Sequence, residues 1–251
     1  MKIKIGITGS RGFIGQHLIE TLQKNKNFEL FYCNLPNCNL LNPSSLEEFV
    51  KNKDVIVHLA AVNRGTDTEI VAGTVVATYN LLSIMEKMHS RAKLIFVSSI
   101  WAETDTVYGQ SKKLAEIMIK DYSTRNKTPA TIFRLTNVFG ERCKPFYNSV
   151  VATFCYQVAN NQRLTIKNGN KKLNFIYVKD LTKLIEKEIL TKRKRLFYFK
   201  RIVPPNELSV LELAKLIKSF KNLKNKTLLK SKFYRDLYRT YLSYTDKNFT
   251  N

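Results

Sequence analysis

Lys2-Ile3-Lys4-Ile5-Gly6-Ile7 runs straight into Thr8-Gly9-Ser10-Arg11-Gly12-Phe13-Ile14-Gly15. The first segment alternates apolar with small or polar residues, the period of a β-strand. After the second, Phe13, Ile14, His17, Leu18 and Leu22 recur at helical spacing. A strand, a glycine-rich turn and a helix form the phosphate cradle of a dinucleotide site. The glycines allow a tight turn and a close backbone approach, and the free N–H groups at the helix start receive the pyrophosphate charge. The spacing here is Gly-x-x-Gly-x-x-Gly at positions 9, 12 and 15. It differs from the commoner Gly-x-Gly-x-x-Gly, so its position between strand and helix carries the argument.

The 251 residues are 44% hydrophobic, enough for a large core in a globular chain. No stretch reads as the roughly 20 apolar residues of a membrane span, and the start shows no signal-peptide pattern. Membrane insertion is therefore not expected, and the cytoplasm is the expected location. Cys33, Cys38, Cys143 and Cys155 show neither a Cys-x-x-Cys pair nor metal-ligand spacing. They read as core or surface thiols in a reducing compartment, and no metal site is expected. The 42 Lys+Arg against 20 Asp+Glu give a formal net charge of +22. Such an excess points to acidic partners. The basic residues are nevertheless spread along the chain. Their densest run, Lys192-Arg193-Lys194-Arg195, reads as a solvated loop between a helix and a strand.

A second strand is expected over Phe28 to Cys33. A doubly wound NAD site places an acidic residue about 20 residues beyond the glycines, to hold the ribose hydroxyls; here Asn34 stands in that place. With Arg11 inside the turn, the pattern favours a 2′-phosphate, hence NADPH. Asp54 to Ala61 reads as a buried third strand. Leu59, Ala60 and Ala61 end it, and the small Ala pair would let a cofactor ring pass. His58 reads as a packed strand-end residue rather than a catalyst. A long helix follows from about Asp67 to Met88, then a fourth strand from Lys93 to Ser98. The next helix opens at Tyr108 and a fifth strand covers Thr131 to Leu135. Beyond it, a helix is expected over Val150 to Val158 and short strands over Leu164 to Lys167 and Leu173 to Tyr177. Strand and helix alternate to about residue 140, after which the order is mixed. The expected fold is α/β: a Rossmann doubly wound parallel sheet over residues 1–140 with a smaller C-terminal α/β substrate lobe over 141–251, interleaved in one compact unit.

Tyr108 and Lys112 stand four residues apart near a helix start and so share one face. A Tyr phenol has an ordinary pKa near 10. A nearby ammonium would favour the phenolate and make the phenol a usable acid or base near neutrality. Ser99, closing the fourth strand, is placed to hydrogen-bond the same substrate oxygen. Together the three would hand a proton to a carbonyl while a nicotinamide gives the hydride.

With these pieces the chain resembles the extended short-chain dehydrogenase/reductases over nearly its whole length. The matching segments are Thr8-Gly9-x-x-Gly12-x-x-Gly15, Asp54-x-x-x-His58-Leu59-Ala60-Ala61, Ser98-Ser99, Tyr108-x-x-x-Lys112, Arg134-x-x-Asn137-x-x-Gly140 and Tyr177-Val178-x-Asp180. The resemblance implies that Tyr108 is the proton donor or acceptor, Lys112 holds the nicotinamide ribose, Ser99 orients the substrate, and Asn137 lies near it. A narrower likeness is carried by Val62-Asn63-Arg64, by the segment from Cys143 to Tyr156, and by the segment from Asp236 to Tyr244. It is to the capsular-polysaccharide UDP-sugar 4-reductases, which reduce the 4-keto group of a UDP-2-acetamido-2,6-dideoxy-hexulose with NADPH. It implies substrate contacts at Asn63 and Arg64. Those relatives continue into a C-terminal metal-binding cupin domain with epimerase activity, whereas this sequence stops at Asn251. A separate cupin-type epimerase is therefore an expected partner. Thr74 also stands where the wider family often has Asn.

Basic and polar residues after the fifth strand, Arg142, Lys144, Tyr147 and Asn148, are candidates to bind the UDP diphosphate and sugar. Three functions stay open. The first is an NADPH-dependent 4-ketoreductase. The second is a nucleotide-sugar epimerase or dehydratase; the related dehydratases carry Asp-Glu directly after the catalytic Ser/Thr, where this chain has Ile100-Trp101. The third is a non-catalytic binding module using the positive charge on nucleic acid, for which no aromatic-basic RNA motif is present. A homodimer is expected through the Tyr108–Asn126 and Asp67–Met88 helices, on Leu81, Ile84, Ile117 and Ile119.

Overall fold

The computed structural model describes residues 2–192, 194–222 and 231–245. It divides into two compact units, Met1–Leu135 with Thr182–Ile202, and Thr136–Leu181 with Val203–Asn251. The division thus falls five residues before the boundary expected at 140, and the chain re-enters the first unit inside a helix. Arg193, in the densest basic run, lies outside the described residues.

The first unit is built on a parallel sheet. Its strands and helices, in chain order, are β1 (Ile3–Thr8), α1 (Phe13–Leu22), β2 (Phe28–Cys33), α2 (Glu47–Val50), β3 (Val55–His58), α3 (Asp67–Val71), α4 (Ala77–Lys87), β4 (Lys93–Ser99), α5 (Val107–Arg125) and β5 (Ala130–Leu135). The second unit opens with β6 (Asn137–Phe139), α6 (Val150–Ala159), β7 (Lys172–Tyr177) and the start of α7 (Val178–Leu190). β8 (Phe197–Ile202) belongs to the first unit, and β9 (Glu207–Ser209), α8 (Val210–Ser219) and α9 (Lys232–Leu242) to the second.

Six strands lie in the order β2-β1-β3-β4-β5-β8, every neighbouring pair parallel. The chain first moves outward from β1 to β2, then crosses back to β3. The order therefore reverses between β1 and β3, and such a switch point opens a crevice at the carboxyl ends of the strands. All four residues of β3 and all six of β5 are buried, as expected of central strands covered on both faces. Leu46, Phe49, Ile56, Leu81, Met85, Leu94, Phe96, Ile119 and Ile132 belong to one core cluster.

The long helix expected from Asp67 is helical to Lys87 but contains a π-turn, Ala72–Val76, between α3 and α4. Thr74 in that turn donates its hydroxyl to the Val62 carbonyl (3.3 Å), and Thr78 donates to the Thr74 carbonyl (2.6 Å). Side-chain hydroxyls so placed widen the ladder of a helix locally. By length and composition alone the run Asp67–Lys87 would suffice to cross a membrane, contrary to the sequence reading. Its Leu81, Leu82, Ile84 and Met85 are nevertheless buried in the core cluster.

In the second unit β6 pairs in parallel with β7, and β7 pairs antiparallel with β9. Phe139, Phe175, Tyr177 and Phe233 meet ring to ring at 5.5–6.4 Å, joining β6, β7 and α9. The strand expected at Leu164 to Lys167 does not form. Gln157 of α6 takes its backbone groups instead: the amide donates to the Arg163 carbonyl (3.0 Å), and its oxygen accepts from the Thr165 N–H (3.2 Å).

α5 is fastened to the sheet by a buried ionic cluster. Glu116 accepts from the Ser98 hydroxyl (2.6 Å), from Arg134 Nε (3.0 Å) and from Arg134 Nη2. The carboxylate and the guanidinium are only 6% and 10% exposed, so neither has bulk water as an alternative partner. Removing one member of such a pair strands the other. Glu116→Ala should lower the unfolding free energy by about 3–5 kcal/mol in urea titration. A loss below about 1 kcal/mol, the scale of an exposed pair, would contradict this.

Candidate active site

The turn after β1 takes the shape of an anion cradle. Gly9 has φ of +67°, and a Cβ there would stand 2.7 Å from the Ala60 nitrogen. A Cβ on Gly15 would stand 2.2 Å from the Gly9 carbonyl oxygen, so no side chain fits where α1 crosses the turn. The Gly12 N–H donates to the Gly9 carbonyl (3.0 Å) and Gly12 caps α1 with no side-chain hydrogen bond. The first turn of α1 holds no acidic residue. The opening N–H groups and the positive end of the helix are left to an anion. Phe13 and Ile14 begin that turn, and Arg11 stands exposed on the loop before it.

The neighbouring strand ends close the cradle. Ser10 donates its hydroxyl to the Asn34 side-chain oxygen (2.8 Å), so Asn34 lies beside the glycine turn as expected. The Leu59 N–H donates to the Thr8 carbonyl (3.3 Å) and the Ala60 N–H to the Thr8 hydroxyl (3.2 Å). Leu59, Ala60 and Ala61 thus run past the turn at the switch point. Asn63 is half-buried and Arg64 exposed further along the same segment. One expectation fails here: Cys33 and Cys38 are not free thiols but a disulfide, their Cα atoms 4.9 Å apart. Their separation of five residues gave no signal, because the pairing depends on how the loop after β2 folds back.

His58 is fully buried at the end of β3, as a packed residue, and its partners fix its proton. Thr78 spends its hydroxyl proton on the Thr74 carbonyl, so it accepts from His58 Nε2 (3.1 Å). Nδ1 is then the acceptor for the Thr8 hydroxyl (2.7 Å), which in turn accepts from Ala60. The neutral imidazole therefore bridges the π-turn and the floor of the cradle. The sequence showed the histidine but not this role, which needs Thr8, Thr74 and Thr78 from three separate segments.

Ser99, Tyr108 and Lys112 meet at the carboxyl edge of β4. The Tyr108 phenol faces the Ser99 hydroxyl, and Ser99 accepts the Trp101 N–H (3.2 Å). Thr106 caps α5 by accepting the Gly109 N–H (3.1 Å), which starts the helix one residue before Tyr108. Lys112 is buried one turn later, donating to the Val97 carbonyl (2.9 Å) with its ammonium 4.6 Å over the Phe96 ring. Burial pulls the Lys112 ammonium down to about 8, against the pull of Glu116. Burial likewise pushes the Tyr108 phenol up to about 12, while Ser99 pulls it back. The expected lowering of the phenol by Lys112 does not appear; desolvation wins, and Tyr108 is a neutral acid at physiological pH.

In the second unit Asn137 donates its side-chain amide to the Asn174 carbonyl (3.1 Å), spanning β6 and β7. Arg142 follows on the loop with φ of +63°, and the Lys144 ammonium lies 6.0 Å from the Tyr147 ring centre. Lys144, Tyr147 and Asn148 are exposed on that loop, whose backbone is pinned by the Tyr244 hydroxyl donating to the Cys143 carbonyl.

Residues 5–194 match the NAD dependent epimerase/dehydratase family. The chain belongs to that family. It is 32% identical over 246 residues to a UDP-2-acetamido-2,6-beta-L-arabino-hexul-4-ose reductase of Pseudomonas aeruginosa. That alignment covers 96% of this chain and 65% of the relative, so the chain spans just under two thirds of the relative's length. Among solved structures it is similar to the capsular polysaccharide assembling protein CapF of Staphylococcus aureus, with TM-score 0.79 and 29% identity, over 99% of this chain and 67% of that one. A UDP-glucose 4-epimerase of Thermotoga maritima gives TM-score 0.82 at 17% identity, over 96% of this chain and 98% of that one, a likeness of fold.

Burial pushes His58 down from 6.5 to about 3, with the Lys112 charge adding to the effect. Above pH 6.5 the ring is neutral folded and unfolded; below it, the unfolded chain takes a proton that the folded chain refuses. The unfolding free energy should therefore fall by about 1.4 kcal/mol per pH unit from this residue as pH drops below about 6. Urea titrations between pH 7 and 4 should show a shallower slope for His58→Asn than for the parent. Equal slopes would refute the assignment.

Proposed function

We propose that the chain is an NADPH-dependent reductase of the 4-keto group of a UDP-linked 2-acetamido-2,6-dideoxy sugar, serving capsular or surface polysaccharide synthesis in the cytoplasm. The observation that carries this reading is the Tyr108 phenol set beside the Ser99 hydroxyl, one helical turn from a buried Lys112. The printed activity of the Pseudomonas aeruginosa relative supports the substrate class.

The residues of the cradle fit a dinucleotide. The turn from Gly9 to Gly15 would hold its pyrophosphate, since side chains at Gly9 and Gly15 would fill the space and α1 opens uncapped. Asn34 and Arg11 would hold the adenosine ribose and its 2′-phosphate; an amide and a guanidinium suit that anion better than a carboxylate would. Leu59, Ala60 and Ala61 would line its path, and Lys112 would hold the nicotinamide ribose. When bound, the reduced nicotinamide supplies a hydride. Tyr108 gives its phenolic proton to the C4 oxygen as negative charge grows there, and Ser99 hydrogen-bonds the same oxygen. A phenol that burial keeps protonated is already in the state that reduction consumes. Asn63, Arg64 and Asn137 are proposed to contact the sugar, and Arg142, Lys144, Tyr147 and Asn148 its UDP. A cupin-type epimerase is the proposed partner for the adjoining step.

NADPH mixed with a UDP-4-keto-6-deoxy-N-acetylhexosamine should lose absorbance at the nicotinamide band, and NADH should serve less well. Tyr108→Phe should slow the loss about 10²–10⁴-fold with little change in NADPH affinity. The rate should decline above about pH 8, where Lys112 gives up its proton. A fully active Tyr108→Phe variant would overturn the assignment.

The proposed homodimer needs a different surface from the one expected. Leu81, Ile84 and Ile119 are buried in the first unit's own core, because α4 and α5 turn them onto the sheet. Ile117 stays exposed, and so do Val76, Tyr79 and Leu114 on the same group of helices. We place the subunit contact on these four. Light scattering at micromolar concentration should report a dimer for the parent and a monomer for an Ile117→Glu, Leu114→Glu variant. A parent that is monomeric would sink the idea.

A further inference from the structure

The Cys33–Cys38 bond lies in the first unit at the end of β2, next to Asn34, which meets the glycine turn. Cys33 is the last residue of β2 and stands in register with Thr8, the last residue of β1, which leads directly into Gly9. Asn34 follows and is held from both sides. Its side-chain oxygen accepts the Ser10 hydroxyl from inside the glycine turn (2.8 Å), and its carbonyl accepts the Cys38 N–H (2.9 Å). The disulfide closes the same short loop, spanning residues 34–37, with a covalent link. Both cysteines are buried, at 6% and 8% exposure, whereas Leu35 at the loop tip is 60% exposed. A loop with so little apolar anchorage keeps its shape through its end links. In an open parallel sheet the end of this strand is where the adenosine ribose of a dinucleotide lies.

We propose that Cys33 and Cys38 are redox-responsive positioning residues for the adenosine end of the cofactor. Resting on the dinucleotide reading above, the inference adds that the disulfide form holds Asn34 ready, and the dithiol form frees the loop. A freed loop must be ordered again when the cofactor binds, which weakens binding. In a reducing compartment thiols are kept reduced, and the disulfides that do form there are typically transient, catalytic or redox-sensing. Oxidation removes two electrons and two protons from the two thiols and forms the S–S bond. The electrons pass to a low-molecular-weight disulfide, which leaves as two thiols. The reverse step begins when the thiolate of a small dithiol attacks one sulfur, and a second attack releases both cysteines as thiols and the dithiol as its own disulfide.

The test uses the full chain, oxidised with glutathione disulfide or reduced with dithiothreitol, with the state of Cys33 and Cys38 verified by alkylation and peptide mass. NADPH binding is followed by fluorescence, and 2′,5′-ADP and nicotinamide mononucleotide, the two halves of the cofactor, by calorimetry. Reduction should weaken NADPH and 2′,5′-ADP alike by about tenfold, the scale of one or two newly ordered side chains. It should leave the nicotinamide half unaffected. A bond that merely stabilised the fold would not separate the two halves. Cys33→Ser, Cys38→Ser should bind as the reduced parent does and ignore dithiothreitol; the reduced parent gives the same comparison should that variant not fold. Equal affinities of the two verified states for 2′,5′-ADP would overturn the proposal, as would thiols that stay free after oxidation. A parent that binds NADPH in neither state would overturn the dinucleotide reading itself, a result distinct from equal binding in both.

Discussion

The structure of the first unit depends on how closely backbone can approach backbone around Gly9. Its would-be Cβ lies 2.7 Å from the Ala60 nitrogen, and that of Gly15 lies 2.2 Å from the Gly9 carbonyl. These two approaches bring the start of α1 over the end of β1 and draw the β3 exit alongside. The crevice at the reversal of strand order then has N–H groups for a floor instead of side chains. The same closeness explains the neutral His58. An imidazole enclosed by Thr8, Thr78 and the Phe96 ring, 5.5 Å away, gains partners for both nitrogens only while uncharged.

Burial also sets the chemistry at the other edge of the crevice. Lys112 and Tyr108 are four residues apart, and a charge argument alone predicts a phenol of lowered pKa. The ammonium instead donates to the Val97 carbonyl over the Phe96 ring, and desolvation acts on both groups. It makes the lysine a weaker base and the phenol a weaker acid, each moved toward its neutral form. For the proposed carbonyl reduction this arrangement is coherent, because the phenol would begin with the proton it is to deliver.

Much of this was legible in the sequence because it is local. β2 runs over the expected residues, and the glycines, Ser99, Tyr108 and Lys112 sit on the elements their spacing called for. What escaped reading depends on contacts between distant segments. The Leu164–Lys167 strand failed because Gln157 had already claimed its backbone. The disulfide arose because the loop after β2 doubles back on Cys33. Leu81, Ile84 and Ile119 looked like spare apolar surface, since periodicity cannot tell a helix covered on one side from one covered on two. The loop with Arg142, Lys144 and Tyr147 was legible only as a cluster of residue types, because exposed side chains carry no periodic signature.

One fold serves several reactions, and the turn after β4 is where this chain narrows the choice. Dehydration of a sugar needs an acid and a base beside the proton relay of Ser and Tyr. Ile100 and Trp101 occupy the two places directly after Ser99, and neither can move a proton. The carboxylate of that turn, Glu103, is engaged elsewhere: it pairs with Arg134 Nη1 at 2.8 Å and with Arg201 Nη2 at 3.3 Å. Arg134 is also held by Glu116, so swinging Glu103 toward a substrate would break an ionic cluster that fixes α5, the helix bearing Tyr108. A carboxylate tied to two guanidiniums is not free to turn toward a substrate. In the proposed reading Ser99 and Tyr108 are the proton-handling groups of that edge. A hydroxyl pair acting on a single oxygen suits the addition or removal of a hydride better than the loss of water.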